Sequence, residues 1–273
     1  MLFSELMHQH LFPATIAALI ILIAFSLVLY AYVKRKINTS ALIGTLILGA
    51  IILLALGPRF GGAGILALLA FFLSGNLVTK YKYDRKAELG VAEGNKGMRN
   101  INNVLGNGLS PVIFALLYYA VSCQSQSQSG NTILLLGFSG AVATACADTF
   151  STEIGQAEGN PKLITTLKKV PVGTNGGVSL PGLGASMLGS GLISIVGLAF
   201  WFDLQMSSRT IFLLTGICLL SGFFGGIVDS FLGATVEDRK PLKLNKHHVN
   251  ILATLFGGIF AILLGCYFGI QTQ

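Results

Sequence analysis

The chain has 273 residues, of which 53% are hydrophobic and only 11% charged, and its mean hydropathy is +0.73. That composition excludes an ordinary soluble domain and makes the bilayer the solvent. A formal net charge of +7 could suggest nucleic acid, but where the basic residues fall decides against that partner.

About 20 helical residues cross a hydrocarbon core. Apolar runs of that order fall at 12–33, 41–57, 62–79, 101–121, 132–149, 183–203, 210–232 and 249–270. The expected fold is an all-α polytopic membrane protein of about eight transmembrane helices, forming one transmembrane helical domain over 1–273 with a peripheral first helix at about 12–33. The first run reads as an anchor rather than a cleavable signal, because residues 1–11 hold no Lys or Arg and the positive cluster follows the apolar stretch. Gly57, Pro58, Gly61 and Gly62 separate the second and third runs, so a tight helical hairpin is expected there; a re-entrant pair would lower the count to six.

Charge sets the orientation. Lys34, Arg35 and Lys36, then Lys80, Lys82, Arg85, Lys86, Lys96 and Arg99, then Lys162, Lys168 and Lys169, and finally Arg239, Lys240, Lys243 and Lys246 all fall on one side of an eight-span chain. Only Arg59 and Arg209 fall on the other. Basic loops are retained in the cytoplasm, which predicts both termini outside and the segments 80–100, 150–182 and 233–248 inside. These inner segments hold most polar residues able to do chemistry, whereas the outer stretch from Gln124 to Asn131 carries no charge. Cys123, Cys146, Cys218 and Cys266 show no CxxC spacing, and the histidines at 8, 10, 247 and 248 are too few for a zinc site.

Two spans that run in the same direction end alike: Ala147-Asp148-Thr149-Phe150 and Val228-Asp229-Ser230-Phe231, 81 residues apart. An ionised carboxylate in a span needs a partner. Mg²⁺ held by Asp148 and Asp229 from separate helices is the sharper reading, and an ion pair or helix cap is the plainer one. Each acid is followed by another carboxylate, Glu153 and Glu237. Asp148 and Glu153 differ by about 140° around a helix, so they share a ligand only if the helix breaks near Ser151. Gly222 and Gly226 form a GxxxG step that would draw the Asp229 helix close to a neighbour.

The fourth span opens with Asn100, Asn103 and Asn107 at helical spacing after Arg99. This stripe could orient a phosphate or simply bond between helices. Lys168-Lys169 precede Gly173-Thr174-Asn175-Gly176-Gly177-Val178-Ser179, which lacks the GxxxxGK[ST] pattern; its backbone amides could form a phosphate nest, or the stretch could be a linker. Asn76 and Lys80 share a face at the end of the third span, where Lys80 could also just snorkel.

Together, Arg99-Asn100, Asn103-Val104, Gly106-Asn107-Gly108, Ala147-Asp148-Thr149, Glu153-Ile154-Gly155 and Lys168 through Ser179 resemble the integral-membrane family that contains transmembrane protein 19 and the plant phytyl-phosphate kinases. The resemblance spans roughly residues 40–270. It implies phosphoryl transfer from a nucleotide, CTP by preference, to an isoprenoid monophosphate. It further implies that Asp148, Asp229, Glu153 and Glu237 hold Mg²⁺, that Lys80, Arg99, Asn100, Lys168, Lys169 and the Gly173–Ser179 loop contact phosphates, and that Asn103 and Asn107 orient the acceptor. The expected location is a bacterial-type cytoplasmic membrane or an organelle membrane, with the site facing cytoplasm or stroma. Lipid-phosphate nucleotidyl transfer would use the same contacts. A solute or lipid transporter would instead need polar groups continuing to the outer face.

Overall fold

The computed structural model describes residues 2–124, 128–202, 204, 206–238 and 244–270. Arg239, Lys240 and Lys243, and the side chains of His8, His10 and Lys96, lie outside the described residues. Among the described residues, seven helices are long and apolar enough to cross a membrane, and the protein is an all-α polytopic membrane protein.

The segments are α1 (Leu2–Val33), α2 (Thr39–Lys80), α3 (Tyr83–Glu88), α4 (Gly94–Gly97), α5 (Ile101–Gln124), α6 (Gln128–Glu158), α7 (Leu180–Val196), α8 (Leu198–Trp201), α9 (Ser208–Thr235) and α10 (Lys246–Tyr267). The expected hairpin is present inside α2. Gly57 has φ of 70°, a left-handed conformation that side chains disfavour, and Pro58 restarts the helix where no amide donor is needed. The two arms fold back on each other: a Cβ built at Gly61 would meet the Leu53 carbonyl at 2.7 Å, and one at Gly49 lies 3.9 Å from Ile65. The eight apolar runs thus occupy seven helices, one of them doubled.

The centre is α6, buried along most of its length and packed against α2, α5, α7, α9 and α10. Its Gly137, Gly140, Ala143 and Ala147 bring neighbours in closely; a Cβ at Gly140 would lie 2.7 Å from Ala261 of α10. Apolar solvent gives helices little reason to associate by hydrophobicity, so this close backbone packing is what joins them. The outermost helix is α1, which packs chiefly on α2.

The short helices α3 and α4 and the segments that follow α6 and α9 gather at one end. Arg99 pairs by its backbone with Lys36 and Asn38, and its guanidinium donates to Thr79 Oγ1 at 3.3 Å, tying both ends of the α2 hairpin to the start of α5. The opposite end is closed by an aromatic cluster of Phe60, Tyr118, Phe138, Phe200 and Trp201, with ring centroids 5.7 to 6.1 Å apart.

Two loop boundaries differ from expectation. Helix α6 runs on to Glu158, so the segment after it begins near Gly159 and not at 150. Within that segment, β1 (Lys162–Leu163) and β2 (Gly177–Val178) form a short antiparallel pair, a small departure from an all-helical chain.

Replacing Gly222 with Val should lower thermal stability in detergent by about 1–3 kcal/mol, since a Cβ there already lies 2.7 Å from that of Ala143. Gly184→Ala, with nothing within 4 Å, should leave the melting temperature unchanged.

Candidate functional site

Parallel packing of α6 and α9 sets the site. Gly222, Gly225 and Gly226 of α9 face Ala143, Thr144 and Ala147 of α6, so the two helices keep a nearly constant register along their contact. One turn further on, that register places Asp148 and Asp229 side by side, within side-chain hydrogen-bonding reach of each other. Thr152 Oγ1 donates to Asp148 Oδ1 at 3.3 Å, and Asp229 Oδ2 is buried with no hydrogen-bond partner.

These carboxyls open into a polar cavity of about 130 Å³, lined also by Ser151, Thr152, Gln156, Ser230, Glu237 and Lys246, with Val172 to Gly177 as its loop wall. That is space for on the order of ten waters, enough for a phosphate chain with its hydration. Burial, and then the neighbouring Asp238, hold the Glu237 carboxyl above the usual carboxylate range, while Lys246 opposes them.

The loop wall folds as it does because Gly176 approaches α9 closely: a Cβ there would lie 2.6 Å from the backbone of Ala234. Two amides of the expected nest already bond within the loop, Thr174 N–H to Pro171 O at 3.3 Å and Gly177 N–H to Thr174 O at 2.9 Å. Ser179 caps α7, its Oγ accepting from Gly182 N–H at 3.2 Å, and lines the same cavity.

A second, smaller polar compartment of about 20 Å³ shares Asp148, Thr152 and Lys246 with the first and adds Glu93, Arg99, Asn103, Asn107, Glu153 and Asn250. Here the asparagine stripe divides. Asn100 caps α5, accepting from Asn102 N–H at 2.9 Å. Asn103 Nδ2 donates to Glu93 at 3.3 Å, and Asn107 Oδ1 accepts from Asn250 of α10 at 3.3 Å.

Glu153 is engaged elsewhere. Its Oε2 pairs with Lys86 Nζ and its Oε1 accepts from Thr79 Oγ1 at 3.0 Å; Lys86 is fully buried and also donates to the Thr79 carbonyl at 2.9 Å. Because α6 stays helical through Ser151, Glu153 and Asp148 point in different directions, and the helix break that a shared ligand would need is absent. Lys80, Asn100, Lys168 and Lys169 are exposed and line neither polar compartment.

Four residues of the site were not marked by the sequence: Lys86, Glu93, Lys246 and Asn250. Lys246 read only as one more basic loop residue, yet it borders both compartments and lies 3.8 Å from Glu93. Asn250, one turn into α10, belongs to no recognisable motif and shows its role only against Asn107. Among the described residues, no group of three His, Cys, Asp or Glu forms a metal cluster, so any cation here would depend on water or phosphate for most of its shell.

The model of the family described as integral membrane protein DUF92 matches residues 22–258. The chain belongs to this family. Its DUF92 relatives include an uncharacterized membrane protein of Methanocaldococcus jannaschii, 34% identical over 90% of this chain and 93% of the relative. Another is an uncharacterized membrane protein of Synechocystis, 33% identical over 96% and 95%. The chloroplast protein VTE6 of Arabidopsis thaliana is 35% identical over 75% of this chain and 59% of its own length. No solved structure matches.

Removing one partner of the buried pair should be costly. Lys86→Met is expected to destabilise the protein by about 3–5 kcal/mol by leaving Glu153 buried and uncompensated, and Lys86→Met with Glu153→Leu should recover much of that loss in a thermal melt.

Proposed function

We propose that this DUF92 protein is a membrane-embedded kinase that moves the terminal phosphoryl group of a nucleotide, CTP, onto an isoprenoid monophosphate to give the diphosphate. The observation that carries the reading is the pairing of Asp148 with Asp229 at a polar cavity, with one oxygen of Asp229 buried and unpartnered. Similarity to the chloroplast protein VTE6, together with the resemblance to plant phytyl-phosphate kinases, supports the same chemistry.

The donors present fit Mg²⁺, which takes few protein ligands and completes its shell with water and phosphate oxygens. Asp148 and Asp229 would hold it, with Glu237 lining the same cavity. Held there, Mg²⁺ would supply charge stabilisation to the phosphates. Arg99 and Lys246 add positive charge from the chain, and the Gly173–Gly177 loop shapes the space around the donor phosphates. Asn103, fixed by Glu93, and Asn107, fixed by Asn250, orient the acceptor. Glu153, held by Lys86, positions α6 against the loop of α3 and α4.

An oxygen of the acceptor monophosphate attacks the terminal phosphorus, the bond from that phosphorus to its bridging oxygen breaks, and the nucleoside diphosphate leaves. The attacking phosphate oxygen is already anionic, so the step needs alignment and charge stabilisation and no enzyme nucleophile. Exposed Lys168 and Lys169 attract the anionic nucleotide from a distance. The aromatic cluster at the far end favours one-sided chemistry over transport, and the retention of basic loops in the cytoplasm supports a site facing cytoplasm or stroma with both termini on the other side.

Purified protein incubated with a prenyl monophosphate, Mg²⁺ and γ-labelled CTP should yield labelled prenyl diphosphate. Asp148→Asn and Asp229→Asn should each lower turnover at least about 100-fold while melting normally, a loss of the size expected when an electrostatic stabiliser is removed. Release of pyrophosphate with label from α-labelled CTP on the lipid would overturn the kinase reading in favour of nucleotidyl transfer.

A further inference from the structure

We infer that the hydrocarbon tail of the lipid phosphate lies in an apolar channel running from the polar site, between the arms of the α2 hairpin and α5, to a groove beneath α1. The inference rests on the phosphate reading of the polar compartment and adds where, and through which residues, the tail is bound.

Continuity of lining residues marks the route. Arg99, Asn103 and Asn107, which border the small polar compartment with Asp148, also border an apolar cavity of about 100 Å³. Beyond them its walls are Leu48, Ile52, Leu68, Phe71, Phe72 and Val104. Thr45, Gly49, Leu68 and Phe72 are then shared with a further cavity of about 290 Å³ against α1, whose only polar lining residue is Thr45. Polarity therefore falls in one direction, from paired carboxyls, through a guanidinium and two amides, to hydrocarbon.

That gradient selects an amphiphile with one charged head and one apolar chain. A water-soluble phosphate would leave the channel unfilled, and a charged group pushed into it would find nothing to replace its hydration. Arg99 stands at the boundary, anchored by Thr79, where the head of such a ligand must end and its tail begin. Gly49 leaves free space at this point of the hairpin: a Cβ there meets only Ile65, at 3.9 Å. Gly49 borders both apolar cavities, so it sits at the neck of the channel.

Gly49→Leu is the direct probe, since its Cβ would meet only Ile65 and Gly49 is none of the residues assigned to the phosphates. With geranylgeranyl monophosphate as acceptor, the variant should show a KM raised tenfold or more. With dimethylallyl monophosphate, whose tail is too short to reach Gly49, kcat and KM should stay within twofold of the parent protein. Equal kinetics on both acceptors would overturn the channel while leaving the kinase reading in place. A binding arm needs no turnover: a diazirine-bearing prenyl monophosphate should crosslink to Leu68 or Phe72, and unlabelled geranylgeranyl monophosphate should suppress it. Such crosslinking without phosphoryl transfer would support the channel and defeat the kinase reading. Crosslinking that excess prenyl phosphate fails to suppress would mean that bilayer lipid fills the groove, which overturns the proposal.

Discussion

Close parallel packing of α9 on α6 is the constraint on which the rest of the protein depends. Glycines at 222, 225 and 226 let the helix backbones approach until Ala143, Thr144 and Ala147 fill the contact. In a solvent as apolar as the side chains themselves, this fit supplies the association that hydrophobic burial supplies in water. Its chemical consequence follows one turn later. The same register that seats the glycines sets Asp148 against Asp229, so two carboxyls that would be costly singly share one polar cavity.

Around that pair, every other element is oriented with respect to one end of the bundle. Gly57 doubles α2 back so that Thr79 and Asn38 meet at Arg99. The capping box at Asn245 and His248 starts α10 where Lys246 reaches both polar compartments. Lys86, driven into the protein by Glu153, staples the loop between α2 and α5 onto α6. Buried aromatic rings fill the other end, and the Trp201 indole N–H and the mid-bundle Ser221 hydroxyl join Asp229 as unpartnered buried side-chain atoms among the described residues.

Much of this was legible in the sequence because membrane solvent leaves few options. Eight apolar runs, the Gly57-Pro58 turn and the repeated acid at the ends of two parallel spans all follow from the cost of bare polar groups in hydrocarbon. The reach of α6 to Glu158 was not legible, since Ser151, Thr152, Glu153 and Gly155 read as loop by composition; the helix persists because Lys86, 67 residues away, neutralises Glu153. Lys168 and Lys169 adjoin the glycine loop in sequence, but they are exposed and line neither polar compartment. Asn107 and Asn250 likewise meet across 143 positions, which no local pattern can announce.

The central claim is that Asp148 and Asp229 form one site for a divalent cation with phosphate. Electron paramagnetic resonance of Mn²⁺ titrated into the purified protein with CTP tests it without requiring a prenyl acceptor. The account expects a saturable bound Mn²⁺ signal that is lost in both Asp148→Asn and Asp229→Asn but kept in Lys168→Ala. A bound signal of equal strength in the parent protein and both aspartate variants would contradict it.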